Sequence, residues 1–469
     1  MKITSKEFLW LSIPLFILLT IAFLLPVRPN DYWWYLRLGS EIASTQAIPT
    51  IDTFTQTQAG QPMVYHSWLS ALLFVWIYKI GGISLTVFIR GLLLSLTYTL
   101  LWKVMRARDA RPQLASLVSF FAILAGSVNW AIRPQLFAYP LFAWSLLILW
   151  RWQQGNNRDL WALPLAALFW VNVHGSFALL FLLGGAALVF GKGERKLLFF
   201  SLVGVFIATL INPRGVYVWK YVVDSLSLIS NQAYSREWMP PVNEGWQMNL
   251  FFGWTLFFMA VAGLSSRKLS RLDWVWILGF GWLAFSGLRY GIWFLFILSI
   301  LTADLLAAWG KERLRGGIPA MDIAIGAIIL LFPLALLPGL REFWWAEAPP
   351  ALSAETPVEA TAWLKAHPEL SGPIWADLAF SSYLVYTLPK YPVWIDTRFE
   401  VYPPDHWERY KGISSAAWNW ESLLEEEGSN LLILSKTEQA KLILALNASS
   451  NWAETYADEI SQIFIRNEK

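Results

Sequence analysis

Apolar runs of about 20 residues recur along most of this chain, and they limit its possible folds more than any other feature. Between Phe8 and Leu337 these runs are separated by short charged loops, and a mixed composition returns only after Arg341. Because a bilayer core is about 30 Å thick, we expect a mainly α, polytopic transmembrane bundle of about eleven spans. The runs assigned as spans are 8–27, 83–103, 113–130, 136–150, 160–174, 176–191, 197–211, 248–264, 273–288, 290–309 and 317–337.

The composition agrees with a membrane protein and excludes several other classes. Of the 469 residues, 56% are hydrophobic and only 15% are charged, whereas a soluble chain of this length carries roughly 25% charged residues. A net charge of +3 gives no reason to expect a nucleic-acid partner. The absence of cysteine excludes disulfides, thiolate metal sites and a cysteine nucleophile. The first run, 8–27, is too long for a signal-peptide core, so we expect a retained helix.

The segment 66–80 decides the orientation of the bundle. It is short and begins with polar residues, so we place it in the outer interface and leave a span as the alternative. With this choice every loop on one side is net basic, while the loops on the other side have nearly balanced charge, so the positive-inside rule assigns the first side to the cytoplasm. We therefore expect a multi-pass protein of the plasma (inner) membrane with a cytoplasmic N-terminus and an extracytoplasmic C-terminal domain. The basic residues of that side are Lys2, Lys6, Lys103, Arg106, Arg108, Arg111, Arg151, Arg158, Lys192, Arg195, Lys196, Arg267, Lys268, Arg271, Lys311, Arg313 and Arg315.

The chain divides into three parts by composition. Residues 1–340 form the helical domain with a structured outer loop at 28–82, residues 341–356 form a linker, and 357–469 form a small α/β domain. Helices are predicted at Pro357–Ala366, Ser381–Leu388, Trp420–Glu427 and Thr437–Leu446. Strands are predicted in PIWADL, YPVWIDTRFEVY, LLILSK and IFIRNE, from residues 373, 391, 431 and 463 respectively. On the second of these strands Asp396 and Arg398 share a face, which favours a structural ion pair.

Costly polar residues gather on the predicted outer side. Ionisable groups at or within a membrane usually indicate a functional site, arginines suit phosphate, and a nearby carboxylate can act as a base or help to hold a divalent cation. Each residue also has a structural alternative, such as a solvated loop charge for Asp31, a turn for Asp52, snorkelling for Arg90 or a local ion pair for Glu237. The candidates are Asp31, Asp52 and Glu237 as catalytic groups, and His66, Arg90, Arg133, His174, Arg214 and Arg289 as substrate-binding groups.

Most of these residues lie in motifs that resemble a bacterial branch of the GT-C superfamily of membrane glycosyltransferases. The pattern D-x-W-W-x-L-x-x-G matches from Asp31 to Gly39, and I-P-x-x-D-x-F-(S/T) matches from Ile48 to Thr55. The pattern H-E-W-L reads His66-Ser67-Trp68-Leu69, so the Glu is absent. Further similar motifs are RPQLF at 133–137, NVHGSF at 172–177, NPRG at 212–215, EWMPP at 237–241 and the C-terminal YPVWIDTRFEVY.

The resemblance implies an extracytoplasmic active site that takes a sugar from a polyprenyl-phosphate donor. Asp31 corresponds to the catalytic carboxylate and would deprotonate an acceptor hydroxyl, with inversion at the sugar. Arg90, Arg133, His174 or Arg289 would stabilise the leaving phosphate. The acceptor would be an envelope glycan, lipid or protein, and membrane lipid is a further partner. No cofactor is identified, although Asp52 and Glu237 would position the acceptor or a divalent cation.

Two alternatives stay open at this point. A non-catalytic transporter of lipid-linked carbohydrate, or an assembly subunit with a sensing outer domain, would also be polytopic, but transporters usually show internal repeats and midplane charges. An O-antigen ligase or polymerase is a third possibility, but such enzymes keep their large domain between spans rather than at the C-terminus.

Overall fold

A computed structural model describes residues 3–227, 233–310 and 318–467. It is mainly helical with a small C-terminal sheet, and it divides into two compact units. The helical unit comprises Met1–Leu25, Gly81–Val222 and Arg236–Ala351, and the α/β unit comprises Pro26–Ile80, Val223–Ser235 and Leu352–Lys469. The first outer loop thus groups with the C-terminal region, whereas the sequence analysis assigned it to the helical domain. Lys2, Lys311, Arg313, Arg315 and Glu468, which the sequence analysis used, lie outside the described residues.

The apolar runs form helices at the expected places, and each run assigned as a span coincides with one helix. The helices that match are α1 (Ser5–Leu24), the second half of α3 (Trp68–Ala107), α4 (Pro112–Gly126), α5 (Gln135–Gln153), α6 (Ala162–Val173), α7 (Ala178–Phe190), α8 (Arg195–Thr209), α10 (Gly245–Leu264), α11 (Arg271–Ser286), α12 (Gly291–Leu306) and α13 (Pro319–Leu331). The other helices of this part are α2 (Asp31–Thr45) and α9 (Tyr217–Ser227). Within the described residues, six helical segments are long and apolar enough to cross a membrane, so eleven spans stay a prediction.

Local sequence signals explain where several of these helices begin and bend. Thr4 and Glu7 form a capping box before α1, in which each side chain accepts a hydrogen bond from the backbone of the other. Helix α3 bends at Gly81 and Gly82. The φ of 57° at Gly82 is one that glycine adopts easily because it has no Cβ. The bend separates residues 68–80 from the apolar helix that follows.

The helices of the helical unit alternate in direction, which sorts its loops to two ends. Trp152 Nε1 donates to the carbonyl of Glu194 (3.0 Å), and the Ser201 hydroxyl donates to the carbonyl of Leu160 (2.7 Å). At the other end Asn172 Nδ2 donates to the carbonyl of Ile211 (3.0 Å). Helices α6 and α8 are therefore parallel, and α7 returns between them. The loops at 151–160 and 191–195 meet at one end, which we call the basic end, and the His174 turn lies at the opposite, polar end.

Buried ion pairs hold the basic end together. Arg108 binds both carboxylate oxygens of Asp273 (2.9 and 3.0 Å) and one of Asp304 (2.5 Å), and Arg267 Nε binds Asp304 at 2.7 Å. The Arg108 guanidinium also lies 4.5 Å from the ring centre of Trp150. Such buried pairs fix a packing arrangement because the loss of one partner leaves an uncompensated charge.

The C-terminal part of the α/β unit is built on a four-stranded sheet. Its strands β1 (Ile374–Ala376), β2 (Leu431–Ser435), β3 (Trp452–Ala457) and β4 (Ser461–Arg466) are ordered β1-β2-β4-β3. The pair β1–β2 is parallel, and the pairs β2–β4 and β3–β4 are antiparallel. The helices around the sheet are α14 (Val358–Ala366), α15 (Leu378–Thr387), α16 (Pro404–Ser414), α17 (Trp420–Glu426) and α18 (Ala440–Ala448).

The prediction of four helices and three of the strands is confirmed, but the strand over YPVWIDTRFEVY is wrong. Only Val393 of this segment forms bridges, to Ile374 and Thr55. The backbone turns because the Asp396 carboxylate accepts from the backbone N–H of Arg398 (2.9 Å), and a 3-10 turn follows at Phe399–Val401. Helix α16 and strand β3 were not predicted.

His406 makes the stability of the α/β unit depend on pH. Its ring stacks 3.8 Å from Trp394 and 5.0 Å from Tyr402 and is 7% exposed. Burial, partly opposed by Asp405, lowers its pKa from 6.5 to about 4. A folded-state pKa below the unfolded value means that the stabilisation is complete above pH 6.5 and is lost towards pH 4.

We expect acidification from pH 7 to pH 4 to remove about 3 kcal/mol of stability through His406 alone. Hydrogen exchange of α16 peptides, corrected for intrinsic rates, measures this loss in the full-length protein. In a His406→Gln variant the same acidification should cost correspondingly less, since glutamine does not titrate. An identical pH dependence in both proteins would contradict the assignment.

Candidate functional site

The polar end of the helical unit brings together three residues that the sequence analysis selected. Arg133 lies in the turn before α5, Glu237 in a 3-10 turn at Arg236–Trp238, and Arg289 in a second one at Leu288–Tyr290. Arg133 Nη1 donates to Glu237 Oε1, and the Arg289 guanidinium lies 4.1 Å from the ring centre of Trp238. The two 3-10 turns are joined by a backbone hydrogen bond from Leu288 to the carbonyl of Met239 (2.9 Å).

Two arginine neighbours stabilise the ionised carboxylate of Glu237. Burial raises the pKa of its carboxyl, but Arg133 and then Arg289 outweigh that effect and hold the pKa below its usual range. A carboxylate stabilised in this way is a weak proton acceptor. The geometry therefore favours a role in orienting the two arginines over a role as a general base.

The other candidates of the helical unit are His174, Arg214 and Arg90. His174 ends α6, and its Nδ1 accepts from the backbone N–H of Ser176 at 3.1 Å, which leaves the proton on Nε2 in the neutral ring. Arg214 is exposed in a turn, where its backbone N–H donates to Asn212 Oδ1 (2.8 Å). Arg90 is buried, and its guanidinium donates to the carbonyls of Ala22 and Leu25 at the end of α1. These bonds give Arg90 a structural role in capping that helix.

Asp31 belongs to the α/β unit, where it occupies the first turn of α2. The positive end of the helix dipole favours a carboxylate at this place. Its Oδ1 accepts a hydrogen bond from the Thr397 hydroxyl at 2.7 Å, and the Thr397 hydroxyl in turn lies 2.7 Å from that of Ser382. Asp31 itself is half-buried. A residue of the C-terminal segment thus contacts the predicted catalytic carboxylate directly.

Asp52 is part of a buried network centred on Arg398. Arg398 Nη1 binds Asp52 Oδ1 at 2.6 Å and the Tyr65 hydroxyl at 3.1 Å, while Nη2 binds Asp396 Oδ2 at 2.6 Å. Burial lowers the pKa of Arg398, but Asp396 and Asp52 more than offset this and raise it above its usual value. The second oxygen of Asp52 accepts from the hydroxyl and N–H of Thr55. The contacts of Asp52 are therefore those of a structural residue. The expected ion pair between Asp396 and Arg398 is present.

Two further residues of the α/β unit are His66, a candidate from the sequence, and Glu400, whose carboxyl is influenced by the charge of Asp31. His66 is half-buried in the turn before α3, and Glu400 follows Thr397 by three residues. Burial and then the negative charge of Asp31 raise the pKa of Glu400, with Arg398 acting in the opposite sense. Sequence reasoning missed Thr397, Ser382 and Glu400, although Thr397 and Glu400 lie inside the quoted YPVWIDTRFEVY motif.

The carboxylates of Asp52 and Glu237 do not fit the role of ligands to the expected divalent cation. Among the described residues there is no cluster of three or more His, Asp or Glu side chains that could hold a metal ion. Asp52 is paired with Arg398 and Glu237 with Arg133, so each of these carboxylates already has a cationic partner.

Comparison with solved structures identifies the fold. The chain is similar to the Archaeoglobus fulgidus oligosaccharyltransferase tethered to an acceptor peptide containing the NVT sequon, with 12% identity and a TM-score of 0.59 over 98% of this chain and 74% of that one. The apo form of that enzyme gives a TM-score of 0.60 at the same identity and coverage. The arabinofuranosyltransferase AftD from Mycobacteria gives 13% identity and a TM-score of 0.55 over 100% of this chain and 40% of AftD.

Both neighbours are GT-C superfamily members, so the GT-C fold that the resemblance implied is confirmed. No family model matches the sequence, and no curated protein matches it. The structural likeness spans nearly the entire chain, both the helical unit and the C-terminal sheet.

Proposed function

We propose that the protein is a membrane glycosyltransferase that moves a sugar from a polyprenyl-phosphate donor to a hydroxyl of an extracytoplasmic acceptor. The observation that carries this proposal is the fold, which is shared along the chain with an oligosaccharyltransferase and an arabinofuranosyltransferase. The acceptor would be an envelope glycan, lipid or protein. An arginine cluster and a hydrogen-bonded carboxylate, both expected in such an enzyme, support the proposal further.

The proposed orientation puts the polar end and the C-terminus outside the cytoplasm, with about eleven spans between the two faces. It is supported by the grouping of basic loops at the opposite end of the helical unit, as the positive-inside rule requires.

In the proposed reaction Asp31 removes the proton from the acceptor hydroxyl as its oxygen attacks the anomeric carbon. The bond from that carbon to the phosphate oxygen breaks with inversion, and polyprenyl phosphate leaves. Arg133 and Arg289 stabilise the charge that develops on the phosphate.

Replacement of Glu237 by Gln should weaken donor binding more than it slows turnover. Without the carboxylate, Arg133 loses its anchor and the two arginines repel each other, so the KM for donor should rise about tenfold. Steady-state kinetics with a synthetic polyprenyl-phosphate sugar measure this effect. Glu244→Gln, in an exposed position of the same loop, is the matched control and should behave as the wild type. A fall in kcat with an unchanged KM would instead indicate that Glu237 acts in the chemical step.

The alternative function is transport of a lipid-linked carbohydrate without chemistry, or an assembly role with a sensing outer domain. Proteoliposomes loaded with synthetic polyprenyl-phosphate hexoses and pentoses distinguish the two. We expect release of polyprenyl phosphate and transfer of sugar to an envelope extract supplied on the polar-end side. Movement of intact donor between leaflets with no cleavage would favour the transporter and overturn the proposed function.

A further inference from the structure

Two hydroxyl groups form a hydrogen-bonded chain that ends on Asp31. The Thr397 Oγ1 lies 2.7 Å from Asp31 Oδ1, and the Ser382 Oγ lies 2.7 Å from Thr397 Oγ1. Ser382, on α15, is completely buried, and Thr397 is half-buried. Asp31 and Thr397 are 366 residues apart in the chain, so only the folded α/β unit brings them together.

The chemistry of the three groups fixes the direction of this chain. An ionised carboxylate can only accept hydrogen bonds, so the Thr397 hydroxyl must donate its proton to Asp31. The oxygen of Thr397 is then the acceptor for the Ser382 hydroxyl. Each bond polarises the next one, which strengthens the final donor towards the carboxylate. The arrangement fixes the orientation of the Asp31 carboxylate, which a general base must hold towards the hydroxyl that it deprotonates.

The buried ion network holds Thr397 in this position. Its neighbours in the chain, Asp396 and Arg398, bind each other through two hydrogen bonds from Nε and one from Nη2, and both side chains are fully buried. Asp52 and Tyr65 fix the guanidinium from the other side. Thr397 therefore sits on a backbone segment with little freedom to shift. Preorganisation of this kind is what positions a reacting group.

We propose that Thr397 is a positioning residue for Asp31, with Ser382 behind it, and that the C-terminal segment thereby completes the active site. The catalytic consequence rests on the proposed function, because it needs Asp31 to be the base. The effect on the orientation and reactivity of the Asp31 carboxyl does not depend on the reaction.

Carbodiimide labelling measures the reactivity of the Asp31 carboxyl without a substrate. The full-length protein is treated with a carbodiimide and glycine ethyl ester at one fixed pH, and labelled peptides are quantified by mass spectrometry. Since a carboxylate held by a hydrogen bond is less free to react, Thr397→Val should increase labelling of Asp31 about fivefold. Ser382→Ala should give a smaller increase, and Thr397→Ser should restore the wild-type level.

Thr361→Val provides the matched control, because Thr361 is a buried threonine of the same unit whose hydroxyl donates to the carbonyl of Pro357 (2.6 Å). It should leave Asp31 labelling unchanged. The inference is overturned if Thr397→Val labels Asp31 as the wild type does. It is also overturned if labelling rises equally at many carboxyls of the unit, because that pattern reports unfolding rather than a lost hydrogen bond.

Kinetics with a synthetic polyprenyl-phosphate sugar test the catalytic part. Thr397→Val should lower kcat about tenfold and leave KM unchanged, and Thr397→Ser should restore kcat. If Asp31→Asn abolishes transfer while Thr397→Val is fully active, this inference fails and the proposed function stands. If Asp31→Asn is fully active, the proposed function fails, and the labelling experiment still decides whether Thr397 orients Asp31.

Discussion

Replacement of Arg398 by Met is expected to lower the stability of the α/β unit by about 3–5 kcal/mol, since it leaves two buried carboxylates without a counter-ion. Arg398 and its partners Asp52 and Asp396 are at most 1% exposed. The loss should appear as faster hydrogen exchange in peptides of β1 and β2, by two to three orders of magnitude where exchange requires unfolding of the unit. The full-length protein in detergent is the sample for this measurement.

Arg409→Met is the matched control for that experiment. Arg409 lies in the same unit and pairs with Glu426 and Glu427, but its side chain is 33% exposed, so its pairs should contribute no more than about 1 kcal/mol. The combined variant Arg398→Met, Asp52→Asn, Asp396→Asn should recover much of the loss, because it removes all three charges. If Arg398→Met exchanged no faster than Arg409→Met, the buried network would not be what holds this segment.

The helices of the bundle could be predicted because hydropathy is a local property of the sequence. Every run assigned as a span coincides with a helix, and Gly81-Gly82 separates the predicted interfacial segment from the apolar helix after it. The cluster of Arg133, Glu237 and Arg289 was also predictable in outline. Charged residues beside apolar helices are costly, and alternation of helix direction sends each of them to the same end.

The interior of the α/β unit could not be predicted, because its contacts join residues far apart in the sequence. Asp52 looks like a turn residue on its own, and its partner Arg398 lies 346 positions later. The pair Asp396 and Arg398 was recognised, but the strand assigned to them was wrong because Asp396 turns the backbone locally. Thr397 could not be identified as a partner of Asp31 for the same reason, because the two residues are far apart in the sequence.

The packing of the first outer loop could not be predicted from its composition. Pro26–Ile80 comes between the first two apolar helices, yet it packs with Leu352–Lys469. Trp33 of α2 contacts Tyr383 of α15 edge to face with ring centres 4.7 Å apart, and its side chain is 2% exposed. By composition and position in the chain, the first outer loop is grouped with the helices. No local feature of the sequence indicates which distant residues cover its aromatic side chains.

Replacement of Asp31 by Asn is expected to have the largest effect on activity. An amide cannot accept the proton of the acceptor hydroxyl, so the rate should fall by about 10²–10⁴, the usual contribution of a general base. The fold should be retained, because Asn at the first turn of α2 can still accept a hydrogen bond from Thr397. Asp405→Asn, an exposed carboxylate at the start of α16, is the matched control and should remain fully active.

The most direct test is release of polyprenyl phosphate from synthetic polyprenyl-phosphate sugars by the protein in nanodiscs, in the presence of an envelope extract as acceptor. Liquid chromatography with mass spectrometry quantifies the released lipid and the sugar gained by the extract. We predict release and transfer by the wild type and by Asp405→Asn, and a loss of at least about 100-fold in Asp31→Asn. Equal release by the wild type and Asp31→Asn would contradict the account.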